Sequence, residues 1–255
     1  MSNTTERTLQ GVIFDLDGTL IDSNDADARA WADALNQFGY PLKLEEVRKL
    51  VGMGADNLLP RAIGIKADSD LGRRIDALRG TLLKEKYFGT IEPLPRARSL
   101  IARIHMEGLK LILASSGKEE EVDALIGKLG PHVDDMFDAR ASANAAQRSK
   151  PSPDIVLAAL DKAGLCAPEC VMLGDTPYDI IAGQAAGVPV IALRSGGWPD
   201  GDLQGAVAIY DDPADLLEHY EDSPLARREG ELAHIAGQRI EERQGEKAGA
   251  HATPG

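Results

Sequence analysis

Two aspartates separated by one residue, Asp15 and Asp17, follow the apolar run Val12-Ile13-Phe14 and precede Gly18-Thr19. A short β-branched and aromatic run of this kind suits a strand buried on both faces of a parallel sheet. Ending it in two carboxylates is costly unless a cation or hydrogen bonds replace the lost hydration. In open α/β sheets, ligands bind at the carboxyl ends of the strands. The spacing points to an acidic, metal-binding catalytic pocket.

Three later features match this one. Ser115-Ser116-Gly117 follows an apolar strand, Lys150 opens Lys150-Pro151-Ser152-Pro153-Asp154, and Asp175 and Asp179 fall in Gly174-Asp175-Thr176-Pro177-Tyr178-Asp179. Each stands past a predicted strand or at a helix start, and parallel strand ends share one edge, so the groups can converge there. Plainer readings exist for each. Ser115 suits a cap or turn, Lys150 a solvated charge, and Asp154 the capping or orienting of its helix. Asp179 suits the first turn of a helix with Thr176 as N-cap and Pro177 at its first position, a role compatible with a site. Gly52-Met53-Gly54 superficially resembles a nucleotide loop, but it follows a helix and has no third glycine.

The elements that must position these residues alternate. After the first strand, 24–90 reads as helical, with segments over 24–38, 44–51, 55–63 and 68–87. Ala28, Trp31, Ala32, Leu35 and Phe38 share one helical face. A helical block between strands reads as a separate small domain, and Pro93 and Pro95 mark the return from it. Then come strands over 109–114, 137–139, 171–173, 188–193 and 207–210, and helices near 96–104, 119–129, 153–163, 177–186 and 214–220. This alternation predicts an α/β fold with a doubly wound parallel sheet. The charged stretch 223–255 reads as a tail, either a surface helix or loose.

The four motifs in this order resemble the signature of the haloacid dehalogenase superfamily, over roughly 11–220. The resemblance implies a Rossmann-like core, 1–23 and 91–222, with 24–90 as an all-helical cap of the C1 type. It also implies a chemistry. Asp15 would be the nucleophile, forming an aspartyl-phosphate. Asp17 would be the general acid/base. Ser115 would hydrogen-bond the phosphate, and Lys150 would offset its charge. Asp15, Asp175 and the Asp17 carbonyl would hold Mg²⁺, with Asp179 as an outer or inner ligand. Thr19, Ser116 and Gly117 would help bind the substrate, as would the cap loop Gly52, Met53 and Gly54.

An acid at Asp17 matches the superfamily's phosphatases and phosphomutases. The resemblance therefore implies a Mg²⁺-dependent phosphomonoester phosphatase acting on a small phosphorylated metabolite. The alternatives are a phosphosugar mutase of the β-phosphoglucomutase type and a non-catalytic binding protein. The mutase pattern places an arginine where this chain has Ala55; Arg61, Lys84 and Lys86 are other cap cations.

The formal net charge of −13 argues against non-specific nucleic-acid binding. Cys166 and Cys170 have no metal-finger spacing and read as reduced cysteines. The polar first ten residues and the lack of a ~20-residue apolar run predict a cytoplasmic protein without a membrane partner. Substrate identity and oligomeric state stay open.

Overall fold

A computed structural model describes residues 9–226 of the chain. In chain order the elements are β1 (Gly11–Phe14), β2 (Ile21–Asp22), α1 (Asn24–Gln37), α2 (Leu44–Arg48), α3 (Ala55–Ile63) and α4 (Asp70–Leu82). A π-helical turn (Leu83–Tyr87) then leads to β3 (Glu92–Pro93), α5 (Ala97–Met106), β4 (Lys110–Ala114), α6 (Glu119–Lys128), β5 (Ala139–Ala141) and α7 (Asp154–Ala163). The remainder is β6 (Cys170–Gly174), α8 (Pro177–Ala186), β7 (Val190–Leu193), β8 (Ala208–Tyr210) and α9 (Pro213–Glu218).

Six strands form one sheet in the order β5-β4-β1-β6-β7-β8, every neighbouring pair parallel. This is the doubly wound sheet that the alternation predicts, and its apolar runs show why. Val12 and Phe14, Leu111 and Leu113, and Val171 and Leu173 pack into one core with α5, α6 and α9. Ile13, Ile112 and Met172 point the other way, into a second core with α7 and α8. With helices on both faces, alternate strand residues are equally buried, so the strands read as continuous apolar segments.

The block between β1 and β4 has a third core, in which Trp31, Leu35, Val47, Leu58, Leu59 and Ile75 are buried. Each such side chain contributes roughly 1.5–3 kcal/mol on burial. The chain leaves and rejoins the sheet through a short antiparallel pair, Ile21 opposite Pro93 and Asp22 opposite Glu92. Sequence periodicity misses this pair because two residues make no pattern, and proline is tolerated at such an edge.

Other differences are small. α2 ends at Arg48 rather than 51, and Val51 and Met53 turn inward into the block's core. The fifth strand runs Ala139–Ala141 rather than 137–139, since Phe137 packs edge-to-face on Phe14 instead. The predicted tail lies outside the described residues from 227 onward, while Ser223 and Leu225 are buried. Among the described residues, no helix is long and apolar enough to cross a membrane. Both cysteines are free; burial pushes the Cys170 thiol up to about 12.

Candidate active site

β1 sits between β4 and β6, with Phe14 level with both Leu113 and Leu173. The three strands therefore end side by side, and the next residues are Asp15, Ser115 and, past Gly174, Asp175. Register alone gathers acids about 160 positions apart onto one sheet edge.

Asp15, Asp175 and Asp179 offer carboxylate oxygens all within 4.8 Å of one another, and all three residues are buried. Lys150, itself 1% exposed, is ion-paired with Asp15 and lies 2.7 Å from Asp179 Oδ1. Thr19 Oγ1 is 3.4 Å from both Asp15 Oδ2 and Asp175 Oδ1. Asn24, the first residue of α1, donates to Asp175 Oδ2 at 2.8 Å. Asp179 also serves its helix: Thr176 Oγ1 accepts from the Asp179 N–H, and its carboxylate accepts from Thr176 N–H at 3.1 Å. Its capping and cluster positions coexist.

The electrostatics are under-compensated. Burial, opposed by Lys150 and reinforced by Asp179 and Asp17, raises Asp15 to about 7. Burial, then Asp179 and Asp15, push Asp175 well up from the ordinary carboxylate range. One lysine does not neutralise three buried acids. Asp179 Oδ1 accepts no hydrogen bond despite its ion pair. Buried, oxygen-only and short of positive charge, this donor set fits a hard divalent cation.

The cluster borders a cavity of about 280 Å³ between the sheet edge and the helical block. Asp15 and Asp17 form its floor, Ser116 and Gly117 one wall, and Gly52, Met53 and Gly54 the facing wall. Ser116 Oγ is buried with no hydrogen-bond partner. Asp17 turns away from the three acids and accepts from Ser23 Oγ. Burial raises its carboxyl, while Ser23 and then Arg79 act to lower it.

Some predicted residues sit elsewhere. Thr19 and Ser115 are fully buried and are not on the cavity wall. The Thr19 hydroxyl faces the carboxylates, and Ser115 Oγ accepts from the Gly117 N–H at 3.1 Å. The carboxylate of Asp17, a residue predicted among the metal ligands, lies outside the acidic cluster. Asp154 does not cap α7; it ties down the preceding loop by accepting from Arg148 and Ser152. Sequence reading missed Asn24, which looks like an ordinary helix start, and Arg79, whose place on the cavity wall depends on distant partners.

Gly18 shows how tightly the acids are held. Its φ is +72°, and a Cβ there would overlap Asn24 Nδ2 and Asp175 Oδ2. Gly18→Ala is expected to cost about 1–3 kcal/mol of stability. Urea unfolding measures this, and an unshifted midpoint would contradict the crowding.

Residues 12–193 match the family model of haloacid dehalogenase-like hydrolases. The phosphoglycolate phosphatase of Aliivibrio fischeri is 33% identical over 204 residues, covering 76% of this chain and 88% of that protein. Hexitol phosphatase A of Escherichia coli is 31% identical over 187 residues, covering 73% and 83%. A hydrolase of known structure from Pseudomonas syringae superposes with a TM-score of 0.78 at 29% identity, covering 84% of this chain and 98% of that one. Parallel strands that end in these acids, together with a match spanning most of the sheet, place the chain in the haloacid dehalogenase-like hydrolase family.

Proposed function

We propose that the protein is a Mg²⁺-dependent phosphomonoester phosphatase acting on a small phosphorylated metabolite through an aspartyl-phosphate. The observation that carries this reading is the arrangement at the cavity floor. Asp15 is held by Lys150 within the acidic cluster, while Asp17, two residues on, is turned away to a separate partner. Two carboxylates in different environments suit a nucleophile and a proton carrier.

In this reading Asp15 attacks phosphorus and the bond to the leaving alcohol breaks. Asp17, protonated at the outset, gives its proton to the departing oxygen and later takes one from the water that cleaves the acyl-phosphate. Burial raises this carboxyl above the ordinary carboxylate range, the direction a proton carrier needs. Lys150 keeps its charge through its two carboxylate partners and offsets the negative charge on Asp15 and the phosphoryl oxygens. The Ser116 hydroxyl and nearby backbone N–H groups receive a phosphoryl oxygen. Ser115 steadies that turn through the Gly117 N–H. Asp15, Asp175, Asp179 and the Asp17 carbonyl would hold Mg²⁺. When bound, the ion supplies Lewis-acid stabilisation of charge on the transferring phosphoryl group.

Residues 24–90 act as the cap over a core of 1–23 and 91–222, with Gly52, Met53 and Gly54 facing the leaving group. The free thiols fit a cytoplasmic setting, and the net charge of −13 disfavours a nucleic-acid partner. For a phosphosugar mutase, a cap cation must take a second phosphate. Ala55 is on the wall, whereas Arg61, Lys84 and Lys86 are not among the wall residues. Arg79, the cation of this block that is, is already paired with Asp27 and Glu121. This favours hydrolysis over transfer.

Turnover of p-nitrophenyl phosphate with Mg²⁺, lost on chelation and restored by adding the metal back, is the expected result. Absence of Mg²⁺-dependent turnover across a phosphomonoester panel would defeat the proposal. Isomerised sugar phosphate in place of free phosphate would favour the mutase.

A further inference from the structure

Most charges on the cavity wall beyond the floor are already committed to one another. It carries Asp27, Asp56, Asp76 and Glu121 against Arg79 and Lys118. Arg79 comes from α4, yet its guanidinium reaches across to α6. Its Nη1 donates to Glu121 Oε1 at 2.7 Å and Oε2 at 2.6 Å, and its Nε donates to Asp27 Oδ1 at 2.7 Å. The guanidinium also lies 5.3 Å from the centre of the Trp31 ring. Side-chain exposures of 12% for Arg79, 15% for Asp27 and 22% for Glu121 leave little water to weaken these pairs. Lys118 Nζ is bound to Asp76 at 2.6 Å. Two acids hold one guanidinium, so this end of the cavity is net negative.

The cluster also lies at the leaving-group end. Asp17 and its partner Ser23 line the cavity together with Asp27, Arg79 and Glu121. Asp17 is the group assigned to protonate the departing alcohol, so whatever that alcohol carries comes close to Arg79. A second acidic group there would meet Glu121 and Asp27 with no uncommitted cation to receive it, and like charges in a half-dry site repel strongly.

Resting on the phosphatase reading of this cavity, we infer that the enzyme selects phosphate esters of uncharged, hydroxyl-bearing alcohols, and that Glu121 sets this preference by occupying the Arg79 guanidinium. The Asp56 carboxylate, exposed on the same wall, can accept hydrogen bonds from hydroxyl groups. A carboxylate or second phosphate on the leaving group would have to displace Glu121 or share its site. Glu121 is thus a specificity-determining residue that acts through Arg79.

The test compares glycerol 2-phosphate with 2-phosphoglycerate, which differ by a hydroxymethyl against a carboxylate, with p-nitrophenyl phosphate as the generic control. The wild type is expected to show a kcat/KM at least about tenfold higher for glycerol 2-phosphate. Glu121→Gln removes a negative charge at similar size. It is expected to lower KM for 2-phosphoglycerate on the order of fivefold or more, with a much smaller change in KM for glycerol 2-phosphate. Asp27→Asn should move the ratio in the same direction, and circular dichroism confirms that each variant folds. A wild type that hydrolyses 2-phosphoglycerate as efficiently as glycerol 2-phosphate overturns the inference, even if neither variant folds. So does an unchanged ratio in both folded variants. Loss of turnover on all three esters, the control included, defeats the phosphatase reading and this inference with it. Turnover without discrimination defeats the inference alone.

Discussion

Asp15→Asn is expected to reduce turnover by on the order of 10⁴-fold or more, as removal of a nucleophile does, while leaving the metal-free protein no less stable at neutral pH. Asparagine keeps the size of aspartate but is a poor nucleophile towards phosphorus. The stability half of the prediction follows from burial. Asp15 is 4% exposed, and desolvation lifts it to about 7 from an ordinary 3.8, Lys150 notwithstanding. A carboxyl whose folded-state pKa is raised favours folding while protonated, below about 3.8, and loses that contribution as pH climbs through about 7. The metal-free wild type should therefore weaken between about pH 4 and pH 7, and Asp15→Asn should flatten that decline. Lys150 keeps Asp179 as its partner in the variant. Thermal unfolding across this range, with and without Mg²⁺, reads both effects. Mg²⁺ at 100 times its Kd would stabilise the wild type by about 2.7 kcal/mol, and the variant by less. A folded variant with wild-type turnover would remove Asp15 from the chemistry. A marked loss of metal-free stability at pH 7 would show that its charge is compensated.

Lys150→Met is expected to have the second largest effect, on stability and on turnover. Methionine fills a similar volume without charge, so packing is largely kept. What is lost is the cation facing Asp15 and Asp179 in a site that also contains Asp175. Breaking a buried ion pair from one side costs about 3–5 kcal/mol. The cost should be greatest above about pH 7, where Asp15 is ionised, and smaller near pH 4, where Asp15 is protonated. Adding Mg²⁺ should recover part of the stability at pH 7, because a second cation enters the same cluster. Turnover should stay low, because the proposed role of Lys150 in offsetting phosphoryl charge is lost as well. Urea denaturation at both pH values, each with and without Mg²⁺, is the measurement. A pH-independent loss would mean that Lys150 acts as packing and not as charge.

Local sequence was enough to locate the acidic edge of the sheet. An apolar run that stops at Asp15, and others that stop at Ser115 and Asp175, announce buried strands ending in polar chemistry. Both halves of that signal are written within a few residues. The doubly wound sheet followed from the same runs, because a strand covered on both faces must be apolar throughout. The Thr176–Asp179 cap was legible for the same reason, its partners being three residues apart.

Tertiary structure decided what depends on distant partners. Asn24 reaches Asp175 across 151 positions, and Arg79 reaches Asp27 and Glu121 across 52 and 42. No periodicity encodes such pairs; they exist because packing brings distant segments together. Burial worked likewise on Thr19 and Ser115, which stand where substrate contact was predicted but turn their hydroxyl oxygens to protein groups. Residue type and spacing thus determined which chemistry this chain carries and where along it. Which charges stay open to a substrate was decided by packing, because a side chain's partner is set by the fold that surrounds it.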